Sequence, residues 1–316
     1  MNHTTETTEN NCKRGKVMSV LSLIVEIHGM ILAIIWEILV ATYRSLIPIP
    51  KKPVKGEVVL VTGAGNGLGR EIALLYASKG ATAVCLDIDE EHNKETVEIA
   101  KNLGYCKAYH YTCDVTDCAK VHAVVDRIKE EVGEVTILIN NAGIMPTRLF
   151  HEQTKEQIEQ TFNVNLLGYH WTIKAILPSM LKDKRGHIVS ISSLCGFEGM
   201  PHLVPYCSSK FGVRGLMSSL RRELDFHEQF YIKTTALYPY YMDTGLLKKP
   251  NIRFPTLMPI LKPSDVAKCV MECQRRDVLE RMIPKEFAIL HKIITVLPHE
   301  AEKIFVKFFN TYLESD

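Results

Sequence analysis

Glu57-Val58-Val59-Leu60-Val61-Thr62 runs directly into Gly63-Ala64-Gly65-Asn66-Gly67-Leu68-Gly69, and a helical pattern follows from Arg70 to Ser78. A short, apolar, β-branched run leading through glycines into a helix is the element order of a dinucleotide site. Glycines let the backbone approach a pyrophosphate, and free N–H groups at the helix start bind its charge. The GxGxxG spacing fails, because Leu68 stands where the third glycine belongs. TGxxxGxG fits instead, through Thr62, Gly63, Gly67 and Gly69. Ordinary tight turns also use glycine, so the flanks decide. A second apolar run, Thr82-Ala83-Val84-Cys85-Leu86, ends on Asp87. A carboxylate about 20 residues past the glycines is placed to accept hydrogen bonds from an adenosine ribose. It would repel a 2′-phosphate, and neither Asn66 nor Ile88 is basic, so NAD is expected over NADP. The competing reading makes Asp87 the cap of the next helix, a post for which Asp89 competes.

Working outward, strand candidates fall at 57–62, 82–87, 107–112, 135–140, 187–192 and 232–238, with a last one near 281–283. Helical patterns lie between them, notably 116–131, 152–182 and 206–228. This alternation predicts an α/β fold: a doubly wound parallel sheet, Rossmann-type, with helices on both faces. Thr62, Asp87, Asn140 and Ser193 lie at or just beyond strand ends, where such sheets form their crevice.

Tyr206-Cys207-Ser208-Ser209-Lys210 carries the chemistry. A Tyr and a Lys four residues apart share one helix face. A phenol titrates near pH ~10, and a nearby ammonium favours its phenolate. The pair is therefore a tunable acid/base, and Ser193, thirteen residues upstream, can hold a substrate oxygen beside it. Alone, YxxxK is an ordinary helix face.

Together these residues resemble the short-chain dehydrogenase/reductase family, over about Glu57 to Leu247. Asn140-Asn141-Ala142-Gly143 resembles the family's NNAG stretch. Asn165, in Phe162-Asn163-Val164-Asn165, stands where the family has its catalytic asparagine, and Asp114-Val115 matches its adenine-contacting pair. The resemblance implies a tetrad of Ser193, Tyr206, Lys210 and Asn165. It also implies cofactor contacts through Gly63, Asn66, Gly67, Leu68, Gly69, Asp87, Asp114, Val115, Asn141, Ala142, Gly143, Tyr206, Lys210, Pro239 and Thr244. One departure stands out. The family reads Pro-Gly after its sixth strand, and this chain reads Pro239-Tyr240-Tyr241-Met242-Asp243-Thr244. The substrate wall is expected from Ser193, the 201–205 segment with Leu203 and Val204, and Tyr240 and Tyr241. Within the family the chain is similar to the membrane-associated retinol dehydrogenase and 17β-hydroxysteroid dehydrogenase type 11 group.

With 316 residues the chain can bury a full core, and its net charge of +2 gives no case for a nucleic-acid partner. Nine cysteines without paired spacing argue against a disulfide framework and suit a reducing compartment. Cys269 and Cys273 lie one helical turn apart but lack companions, so no metal is expected. The expected organisation is a polar N-terminus (1–16), a membrane anchor (17–43), a Pro-rich linker (44–56), a catalytic domain (57–250) and an extension (251–316). The extension either completes the core or covers a greasy substrate channel at the bilayer. Val17 to Ala41 has membrane-spanning length and basic flanks. Its stripe of Ser19, Ser22, Glu26, Gly29, Ala33 and Glu37 leaves two arrangements open, lying in the interface or pairing with another helix.

The function expected from these features is hydride transfer between NAD and a lipophilic alcohol or carbonyl: a retinoid, a steroid or a fatty alcohol. The enzyme is expected on the endoplasmic reticulum membrane or a lipid droplet, facing the cytosol, in contact with membrane lipid and as a homodimer. An NAD-binding scaffold with little turnover has no need of an acid/base pair. A soluble reductase of small polar carbonyls has no need of the anchor.

Overall fold

The computed structural model describes residues 3–47, 50–247 and 250–314. The chain divides into two units, Met1–Pro50 and Lys51–Asp316. In the first, helix α1 spans His3–Leu46. It begins well before the expected anchor. Its Ser22–Tyr43 stretch has a mean hydropathy of 2.2 and is long and apolar enough to cross a membrane.

The second unit alternates strand and helix. Its first half holds β1 (Val58–Thr62), α2 (Gly67–Ser78), β2 (Thr82–Asp87), α3 (Glu90–Asn102), β3 (Ala108–Thr112), α4 (Cys118–Glu131) and β4 (Ile137–Asn140). Then come α5 (Lys155–Phe162), α6 (Gly168–Lys182), β5 (Gly186–Ile191), α7 (Val204–Phe226) and β6 (Ile232–Pro239). The remainder is β7 (Pro250–Asn251), α8 (Pro263–Arg275), β8 (Glu280–Ile283), α9 (Phe287–Ile294), α10 (His299–Phe309) and β9 (Tyr312–Leu313). Among the described residues, seven strands form one parallel sheet in the order β3-β2-β1-β4-β5-β6-β8. The doubly wound fold read from the sequence is what the chain adopts.

Period-2 alternation divides the core. Val59 and Val61 of β1 pack with Ile72 and Tyr76 of α2 and Val270 of α8. Leu60 points the other way, among Val121, Tyr169, Ile173 and Val213 of α4, α6 and α7. Such two-sided burial explains why these strands read as continuous apolar runs. The strand order reverses between β1 and β4, and parallel sheets of this kind open a crevice at that point.

One helix was expected over 152–182, and the chain makes two. A π turn, Asn163–Leu167, separates α5 from α6, and the N–H of Gly168 donates to the Asn163 carbonyl. A Cβ on Gly168 would stand 2.9 Å from Val115 Cγ2, so this turn presses closely on the chain beyond β3. Such insertions collect at functional sites. Asn165 lies in this one.

Candidate active site

The glycine turn is held in shape by contacts that exclude side chains. Gly63 has φ +67°, and a Cβ there would lie 2.9 Å from Ala142 Cα. A Cβ on Gly69 would stand 1.9 Å from the Gly63 carbonyl oxygen, so α2 packs directly onto the turn. Thr62 Oγ1 accepts from the N–H groups of Asn141 (3.0 Å) and Ala142 (3.1 Å). Asn141 Nδ2 donates back to the Thr62 carbonyl at 3.0 Å, which locks the ends of β1 and β4 together.

Asp87 accepts from the N–H of Gly65 at 2.7 Å and of Asp89 at 3.0 Å. The competition for the cap of α3 goes to Asp89, which accepts from His92 N at 3.1 Å. Asp87 is thereby left at the cavity. Arg70, the cation beside the turn, is committed to the Gly65 carbonyl and to Glu95, each at 2.6 Å.

These groups line a cavity of about 680 Å³. Of the residues expected to hold a cofactor, all but Gly69 and Pro239 line it. Gly69 lies beneath the turn, and Pro239 faces the neighbouring cavity. Sequence reading passed over Cys113 and Thr116 beyond β3, and Glu156 and Gln160 on α5. Adjacency to Asp114 could have flagged the first two. Nothing in the sequence distinguishes the α5 residues from a solvated helix face.

Pro205 opens α7, so Tyr206 and Lys210 fall in its first two turns. Lys210 is buried, and its Nζ donates to the Ile191 carbonyl at 3.1 Å. That Nζ stands 5.7 Å from the centre of the Tyr206 ring. Asn165 is fully buried. Its Oδ1 accepts from Ile144 N (2.8 Å), and its Nδ2 donates to the Ile144 carbonyl (2.9 Å) and to Ser209 Oγ (3.1 Å). Ser193 caps a short 3-10 turn at Leu194–Gly196, accepting from Cys195 N at 3.2 Å. Its hydroxyl also favours the ionised form of the Tyr206 phenol.

Burial dominates the electrostatics. It pushes the Tyr206 phenol up, Cys195 adds to the rise, and Ser193 pulls the other way. Burial also lowers the Lys210 ammonium to about 8. The sequence led us to expect Lys210 to hold the phenol down. In the protein alone the desolvation of the tyrosine outweighs any pull from the Lys210 charge, 5.7 Å from the ring centre.

A second cavity, of about 440 Å³, adjoins the first and shares Ser192, Tyr206, Met242, Thr244 and Leu246 with it. Ser193, Tyr240 and Tyr241 line it, with Met145, Phe197 and Met200. The two tyrosine rings stack at 4.6 Å, and Tyr240 stacks on Phe287 of α9 at 5.1 Å. Phe305, Val306 and Phe309 of α10 complete the wall. Leu203 and Val204, expected here, line neither cavity. Leu203 is fully buried against Cys195, Cys207 and Leu313, while Val204 faces solvent. The start of α7 turns both away from the opening.

The short chain dehydrogenase profile matches residues 57–253. The chain belongs to that family. As a short-chain dehydrogenase it is an oxidoreductase acting on CH–OH groups. Among its relatives, short-chain dehydrogenase/reductase family 16C member 6 of Bos taurus is 40% identical over 251 residues, 79% of each chain. Human epidermal retinol dehydrogenase 2 is 38% identical, covering 84% of this chain and 85% of its own. Human 17-beta-hydroxysteroid dehydrogenase 13 is 35% identical, covering 93% and 97%. Among solved structures, a short-chain dehydrogenase from Burkholderia phymatum in complex with NAD superposes with a TM-score of 0.68 at 26% identity. It covers 76% of this chain and 93% of its own.

Proposed function

We propose that this short-chain dehydrogenase is membrane-anchored and transfers hydride between NAD and a lipophilic alcohol: a retinoid, a steroid or a fatty alcohol. The observation that carries the proposal is the position of Tyr206, which lines both the glycine-turn cavity and the more apolar one beside it. An acid/base at that junction can serve a cofactor on one side and a greasy alcohol on the other.

The first cavity fits a dinucleotide. Its turn offers backbone without a Cβ where a pyrophosphate must approach, and Asp87 supplies the ribose acceptor. With Arg70 engaged elsewhere, the described residues beside Asp87 offer no basic partner for a 2′-phosphate, which favours NAD over NADP. The relation to an NAD complex agrees with this assignment. Bound NAD supplies the hydride acceptor and a positive ring. Tyr206, once that field favours its phenolate, takes the alcohol proton. Ser193 would hold the reacting oxygen, and Lys210 would hold the ribose and stabilise the phenolate through the field of its ammonium. Asn165 links the site through Ser209 to the backbone of Tyr206 and fixes the Ile144 segment. A positioned acid/base of this kind contributes roughly 10²–10⁴-fold in rate.

The substrate class rests on the aromatic and methionine lining of the second cavity, and on relatives named for retinol and hydroxysteroids. Residues 17–43 would anchor the protein and 251–316 would cover the substrate site. We place the catalytic unit on the cytosolic face of the endoplasmic reticulum or a lipid droplet. Free, buried Cys85, Cys113, Cys195, Cys207 and Cys273 suit a reducing compartment. The test is a screen of the full-length chain in phosphatidylcholine vesicles, with NAD and NADP, against retinol, steroids and long-chain alcohols. NADH formation with at least one of these is expected. Turnover confined to small polar carbonyls would overturn the reading.

A further inference from the structure

Helix α9 is Phe287-Ala288-Ile289-Leu290-His291-Lys292-Ile293-Ile294, apolar on every side but for two residues. A helix of that composition belongs in a core. Yet no residue of α9 is buried, and none of α10 is either. The inward face of α9, Phe287, Leu290, His291 and Ile294, lines the substrate cavity at spacings of three and four. Its opposite face exposes Ile289 (67%) and Ile293 (51%). In α10, Glu302, Phe305, Val306 and Phe309 face the cavity, while Ile304 is 72% exposed on the other side. The link between the helices, Thr295 to Pro298, carries Val296 at 80% exposure, where a solvent-facing turn would carry polar residues.

The geometry points to a lipid surface as what covers these outer faces, so that α9 and α10 form a thin wall between substrate cavity and bilayer. Three observations favour lipid over a second copy of the chain. The Ser22–Tyr43 segment is long and apolar enough to cross a membrane, and as the proposed anchor it would bring the protein to a bilayer. Exposed Lys285, Lys292 and Lys307 flank the apolar residues, with Lys303 paired to Glu300 beside them, and basic flanks are how interfacial helices meet headgroups. The apolar tip at Val296 belongs to a surface that inserts. Val306 is both 57% exposed and part of the cavity lining, so it marks the place where substrate passes from lipid to Tyr206. The passage rests on the lipophilic-alcohol reading; the lipid contact does not.

The full-length chain, with the photo-crosslinker p-benzoylphenylalanine in place of Ile293 and, separately, of Ile304, would be irradiated in phosphatidylcholine vesicles. Phe226, exposed at the end of α7, serves as the control position. Phospholipid adducts at both positions and not at 226 are expected. Chain-to-chain products, or no adduct, would overturn the lipid contact whatever the enzyme's substrate. The passage is read by kinetics. Loss of two isoleucine contacts in the Ile293→Asp, Ile304→Asp variant predicts a fall of about tenfold or more in kcat/KM for a vesicle-dissolved long-chain alcohol. A short, water-soluble alcohol should be turned over as in the parent. Equal rates for the long alcohol in parent and variant would overturn the passage, while a parent inactive on both would instead overturn the reading on which it rests.

Discussion

Lys210 shows how a single residue sets activity against stability. Its ammonium is buried with the Ile191 carbonyl as hydrogen-bond partner, and desolvation lowers it to about 8. Below that pH both folded and unfolded chains hold the proton, and the folded state carries the full desolvation cost. Between about 8 and ~10.4 only the unfolded chain holds it, so stability rises with pH over that window. A shift of this size corresponds to about 3 kcal/mol. Lys210→Met should therefore raise the thermal midpoint at pH 7 while removing activity and weakening NAD binding. A lowered midpoint would show that the ammonium is compensated in the fold. Asp87 makes the second test at this scale. Asp87→Ser combined with Ile88→Arg removes a repulsion and adds a phosphate partner, so kcat/KM should shift toward NADP. A parent enzyme that already prefers NADP would contradict the role given to Asp87. Both positions were legible in sequence because their chemistry depends on near neighbours. The electrostatic balance at Tyr206 was not, because desolvation is a property of the packed site.

At the scale of elements, β5 and β6 are joined by a buried histidine that the chemistry does not use. His187 pairs with Thr235 Oγ1 at 2.8 Å, with Gln274 Nε2 at 3.4 Å and Asp277 Oδ1 at 3.7 Å from its other nitrogen. Burial, opposed only in part by Asp277, lowers its pKa to about 3. Below its ordinary value of ~6.5 the unfolded chain binds a proton that the folded chain refuses. Stability should then fall by about 1.4 kcal/mol per pH unit as the medium is acidified toward 3. Urea unfolding at pH 7.5 and 5 should show this loss, reduced in His187→Gln; equal losses in both proteins would remove His187 as its source. The strands themselves were readable, since two-sided burial writes them as apolar runs. The division of α5 from α6 was not, because a π turn changes the hydrogen-bond partner without changing the residue pattern. The placement of Leu203 was lost for a similar reason. Whether a residue before a helix faces a cavity or the core depends on the entry angle of α7, which periodicity does not encode.

At the scale of the whole catalytic unit, two adjoining cavities share a lining that includes Tyr206. The glycine turn, Asp87 and the NNAG stretch were visible in the chain because cofactor binding uses backbone shape and fixed charge. Most of the proposed substrate wall was not, since Met145, Phe197, Phe287 and Phe305 come from four separated segments with no shared pattern. The central claim, that Tyr206 is the acid/base at this junction, is tested most directly by Tyr206→Phe. The full-length parent and variant would be compared in phosphatidylcholine vesicles for NADH formation from a lipophilic alcohol and for NAD affinity. The account predicts that the ring keeps its packing and NAD its affinity within about twofold, while turnover falls by roughly 10²-fold or more. A variant that binds NAD equally well and still oxidises the alcohol at the parent's rate would contradict it.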